Sequence, residues 1–152
     1  MRVAIGCDPN AAALKKELMG FIESLGHQVS DLGSDDPIYA NVAIAVAEAV
    51  AAGEYDRGVL LCGTGIGMSI AANKVPGAYA AVVNDIYQAE RAELSNHANI
   101  ITLGAQVTGP ALAKCFVREY LSCTYDPNSR SADKVARICR YEQERMGAAC
   151  RK

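Results

Sequence analysis

Five short apolar runs recur along this 152-residue chain, and a longer stretch of helical period follows each of them. No other feature limits the possible folds as much, because strands that alternate with helices build a parallel sheet covered on both faces. The strand-like runs are Arg2–Cys7, His27–Ser30, Gly58–Leu61, Ala78–Val83 and Asn99–Leu103. The helical stretches between and after them cover Ala11–Leu25, Pro37–Ala52, Met68–Asn73, Ile86–Leu94 and Pro110–Leu121, and a charged helix at about 129–147 closes the chain. Gly26 suits a helix C-cap, and Thr108 is the expected N-cap ahead of Pro110. The pattern predicts a three-layer α/β/α, Rossmann-like domain with a five-stranded parallel sheet, running as a single unit over 1–152. No internal repeat or linker interrupts it.

Composition agrees with that architecture. Half of the residues are hydrophobic (51%) and only 6% are aromatic, so the core must be built of Ala, Val, Ile and Leu. A formal charge of -2 leaves no basic footprint for nucleic acid, which favours a small-molecule partner. No apolar run reaches membrane-spanning length, and Met1 leads directly into a strand pattern, so a cytoplasmic location is expected. The six cysteines contain no Cys-x-x-Cys pair, and with only two histidines no zinc-type ligand spacing exists. All six are expected to be reduced thiols, and no metal or cofactor is expected.

Ligands of open α/β sheets sit beyond the carboxyl ends of the strands. That rule selects Cys7-Asp8-Pro9-Asn10, Cys62 with Gly63-Thr64-Gly65-Ile66-Gly67, Asn84-Asp85 and Leu103-Gly104. A glycine-rich turn from strand to helix exposes backbone N–H groups to a phosphate or a developing oxyanion, though such glycines equally serve close packing alone. Cys62 stands immediately before the turn, where converging amides favour a thiolate acting as base or nucleophile, and Thr64 is positioned to tune or relay its proton. The turn lacks the lysine of a P-loop, and strand one carries no dinucleotide fingerprint. Strand three ends in Cys62 rather than an aspartate, which removes the phosphoacceptor of a response regulator.

The stretch Cys62-Gly63-Thr64-Gly65-Ile66-Gly67-Met68-Ser69-Ile70-Ala71-Ala72-Asn73-Lys74 resembles the ribose-5-phosphate isomerase B family, which includes the galactose-6-phosphate isomerase subunits. The likeness extends to Gly6-Cys7-Asp8, Tyr39-Ala40, Ser95 to Gly104 and Arg130 to Lys134. It implies a metal-free aldose–ketose isomerase that works as a homodimer or homotetramer with sites at the subunit interface. It further implies that Cys62 moves a proton between C1 and C2 through a cis-enediolate, assisted by Thr64. By the same likeness Asp8, Tyr39, Ser95, Asn96 and His97 meet the sugar, the loop Gly63, Gly65, Ile66 and Gly67 holds the charged oxygen, and Arg130 and Lys134 grip the phosphate.

Two departures bear on the substrate. Relatives acting on ribose 5-phosphate carry histidines where this chain has Pro9 and Ser95, and the second of these is associated with opening the furanose ring. A tetrose 4-phosphate has no free hydroxyl able to close a furanose and needs no such step. The segments Tyr39-Ala40-Asn41, Ala89 to Asn96 and Arg130-Ser131-Ala132 also resemble the branch that interconverts erythrulose 4-phosphate and erythrose 4-phosphate. Ribose 5-phosphate and a non-catalytic phosphosugar sensor remain the alternatives.

Overall fold

A computed structural model describes residues 1–33 and 35–147. Its elements follow the expected alternation: β1 (Arg2–Cys7), α1 (Ala12–Ser24), β2 (Gln28–Asp31), α2 (Tyr39–Ala51), β3 (Arg57–Cys62), α3 (Ile66–Ala72), β4 (Ala80–Val82), α4 (Ile86–Leu94), β5 (Ile100–Gly104), α5 (Pro110–Ser122) and α6 (Ala132–Met146). The strands form one parallel sheet in the order β2-β1-β3-β5-β4.

Alternate residues of each strand supply two cores. Val3, Ile5, Val59, Leu61, Ile101 and Leu103 pack against α1, α4 and α5, while Ala4, Leu60, Cys62 and Ile100 face α2 and α3. β3 is buried along its whole length, as a central parallel strand covered on both faces must be. The scarcity of aromatic residues is met by α2, whose Val42, Ala43, Val46, Ala47 and Val50 form a smooth buried stripe. The result is the three-layer α/β/α arrangement.

Gly26 takes a φ of +82 directly after the α1 cap, as a C-terminal glycine should. The cap expected at Thr108 is displaced by one residue: Gly109 is the N-cap of α5, and Thr108 is buried, its N–H donating to Gly104 O at 2.8 Å. The cysteine expectation also needs correction. Cys7, Cys62, Cys115 and Cys123 are free, but Cys139 is disulfide-bonded. The absence of Cys-x-x-Cys spacing does not exclude a bridge between cysteines further apart. No helix among the described residues is long and apolar enough to cross a membrane.

Candidate active site

The carboxyl ends of β1 and β3 lie side by side, joined by the Asp8 N–H donating to Leu61 O at 3.0 Å. Asp8 is buried beyond β1, and its Oδ1 has no hydrogen-bond partner among the described residues. An unsatisfied carboxylate oxygen is costly in a closed core, so beyond the carboxyl end of a strand it marks a place for a ligand donor.

Cys62 ends β3, and its chain then turns sharply into α3. Gly65 makes that turn with a φ of +79, and a β-carbon there would lie 3.0 Å from the backbone of Leu103. The turn brings the Gly65 N–H to within 3.1 Å of Cys62 Sγ, a donor directed at the sulfur. Thr64 projects its side chain outward and accepts from the Ile66 N–H at 3.4 Å. The loop is seated on the end of β5: Ala105 N–H donates to Cys62 O at 2.7 Å, Gln106 N–H donates to Gly63 O at 3.0 Å, and a β-carbon at Gly104 would strike the Thr64 backbone at 2.8 Å. Tyr39, opening α2, lays its ring on Gly67, where a β-carbon would fall 2.6 Å from the ring. Asp8, Tyr39, Cys62, Gly63, Thr64, Gly65, Ile66 and Gly67 therefore surround one end of the sheet.

The remaining expected residues lie at the other end. β3 and β5 are parallel, with Gly58 opposite Ile100 and Cys62 opposite Gly104. Ser95, Asn96 and His97 precede Ile100, so the length of β5 separates them from Cys62, about 16 Å at the usual rise of a parallel strand. Asn96 Nδ2 donates to Arg91 O at 2.9 Å, and His97 holds a left-handed backbone with a φ of +52. α6 packs at this same end. Glu142 accepts from the Gly77 N–H at 3.1 Å and the Tyr79 hydroxyl at 2.7 Å, and Val135, Ile138 and Cys139 share a small cleft with Tyr79 and Asn96. Arg130 and Lys134 are exposed at the start of that helix. One chain thus places Asp8, Tyr39, Cys62 and the glycine turn at one end of the sheet, and Ser95, Asn96 and His97 with α6 at the other.

Tyr125 was not legible in the sequence; its ring stacks on His97 with centroids 4.3 Å apart and planes within 8°. No motif marks it, since the contact joins residues on different segments. A buried ion pair below it was not legible either: Arg57 and Glu93 meet at 2.6 Å, and Glu93 accepts from the Tyr125 N–H at 3.1 Å.

A family model described as Ribose/Galactose Isomerase matches residues 3–138. D-erythrulose-4-phosphate isomerase 2 of Mycolicibacterium smegmatis is 43% identical over 148 residues, which cover 93% of this chain and 97% of that protein. Ribose-5-P isomerase B of Listeria innocua is also 43% identical, over 138 residues that cover 89% of this chain and 93% of that protein. Among solved structures, ribose-5-phosphate isomerase B of Clostridium thermocellum superposes with a TM-score of 0.89 at 40% identity, covering 95% of this chain and 99% of that one.

Proposed function

Since this chain belongs to the ribose/galactose isomerase family, whose named relatives are aldose–ketose isomerases, we propose that it interconverts a tetrose phosphate and its ketose, erythrose 4-phosphate and erythrulose 4-phosphate, with Cys62 as the base. The observation that carries this reading is the sulfur of Cys62 at the start of the glycine turn, facing the Gly65 N–H at 3.1 Å, on the end of the sheet where Asp8 Oδ1 is buried without a hydrogen-bond partner among the described residues.

As thiolate, Cys62 removes the proton from C2 of the aldose, and the electron pair moves onto the carbonyl oxygen to give a cis-enediolate. The loop amides from Gly63 to Gly67 stabilise that oxygen's charge. The thiol then returns the proton to C1 while the O2 proton passes to O1, possible within one enclosed site, and the thiolate is regenerated. Asp8 and Asn96 hold sugar oxygens, and Arg130 and Lys134 neutralise the phosphate. The two halves of the site lie at opposite ends of a chain, so a complete site takes its reactive half from one subunit and its phosphate grip from a second.

Pro9 and Ser95 favour the tetrose, because neither side chain can perform the proton transfer of ring opening that imidazole performs. The Listeria relative, named for ribose 5-phosphate and equally similar, supports the second reading. A panel of erythrose 4-phosphate, ribose 5-phosphate, allose 6-phosphate and galactose 6-phosphate separates them by kcat/KM. The tetrose should win; a clear preference for ribose 5-phosphate rejects the substrate assignment. Binding with no turnover and no solvent deuterium incorporated into any of them would identify a sensor.

A further inference from the structure

We propose that Tyr125 is a positioning residue, which through its stack on His97 fixes the segment bearing Arg130 against the loop bearing Asn96. The inference rests on the isomerase reading above and names a device within that same site.

The segment from Cys123 to Ser131 connects α5 to α6 without regular structure, so something must set where it delivers Arg130. Two contacts at Tyr125 do so. Its N–H donates to Glu93 at 3.1 Å, and Glu93 is anchored in the core by its 2.6 Å ion pair with Arg57. Its ring lies flat on His97 at 4.3 Å. From there a tight turn, with Asp126 accepting from the N–H groups of Asn128 at 2.8 Å and Ser129 at 3.0 Å, leads to Arg130. On the facing side, His97 holds a φ of +52, a conformation that a non-glycine residue keeps only when its surroundings over-determine it. Asn96 is the adjacent residue, so the stack ties a sugar contact and a phosphate contact into one rigid body.

Holding both groups in place acts on bound substrate and transition state alike, and its loss should raise KM while leaving kcat nearly unchanged. Tyr125→Leu, which fills the space without an aromatic face, should raise KM and the dissociation constant for inorganic phosphate by roughly two- to tenfold, the range of an aromatic pair. Tyr125→Phe keeps the stack and should restore both to near wild type. His97→Asn tolerates the left-handed backbone and should weaken inorganic phosphate binding as much as Tyr125→Leu does, with the double variant no weaker than either single one. Phosphate affinity is read by thermal stabilisation and does not depend on turnover. Unchanged phosphate affinity in folded Tyr125→Leu, or additive losses in the double variant, overturns the proposal. A wild-type protein that binds phosphate but turns over no sugar phosphate instead rejects the isomerase reading and leaves the phosphate comparison to decide this one.

Discussion

Cys7 and Cys62 both end strands on the carboxyl side of the sheet, and the Gly65 N–H is directed at the Cys62 sulfur at 3.1 Å. Cys7 is fully buried, and burial pushes its thiol up to about 11, with nearby Asp31, Asp8 and Asp35 adding to the rise against the opposing charge of Lys15. At pH 8 roughly one Cys7 in a thousand is therefore a thiolate. Iodoacetamide at that pH should leave Cys7 unlabelled by mass spectrometry after the half-buried Cys115 has reacted. Comparable labelling rates would contradict this account of its burial. Cys62→Ala should leave the melting temperature close to wild type and lower kcat by about 10²–10⁴-fold, the range for losing a general base; full turnover in that variant removes Cys62 from the mechanism. The place of Cys62 at the end of β3, directly ahead of the glycine turn, was legible in the sequence. The rise at Cys7 was not, because it depends on helix packing that no local pattern records.

Among the elements, β3 and its neighbours were legible to within a few residues, since their apolar runs have to be buried on both faces. α6 was legible as a helix by its charged periodicity, but its docking was not, because Glu142 reaches Gly77 and Tyr79 across more than sixty positions. α4 shows the same limit. Glu93 reads as one more charged residue of an amphipathic helix, yet it is almost fully buried and paired with Arg57. Removing one partner of a buried pair strands the other, so Glu93→Gln should cost about 3–5 kcal/mol in urea unfolding. A loss below about 1 kcal/mol would mean that the pair is solvated. The carboxyl-end rule, applied to β5, would have set Ser95, Asn96 and His97 apart from Cys62; family resemblance grouped them because it carries no information about which end of a strand a residue occupies.

For the whole molecule, the proposed sharing of a site between two subunits can be tested by mixing. Cys62→Ala and Arg130→Ala chains, each inactive alone, should recover roughly a quarter of wild-type turnover when refolded together as random pairs. No recovery would place both residues in a site supplied by one chain. Acid stability depends on a separate set of groups. Desolvation would raise the Asp31 carboxyl, but hydrogen bonds from Lys15 and the Gly33 N–H and the charge of Lys15 outweigh it and leave it below its ordinary 3.8. A carboxylate lowered on folding contributes stability above its unfolded value and loses it as pH falls through the folded one. The melting temperature should therefore drop below about pH 4. The drop should be shallower in Asp31→Asn; an identical profile would exclude Asp31 from it.

If the proposed division of the site holds, one chain by itself is not a self-sufficient unit of catalysis. Specific activity would then become a function of abundance, and dilution below the constant at which subunits part would lower output faster than the amount of protein.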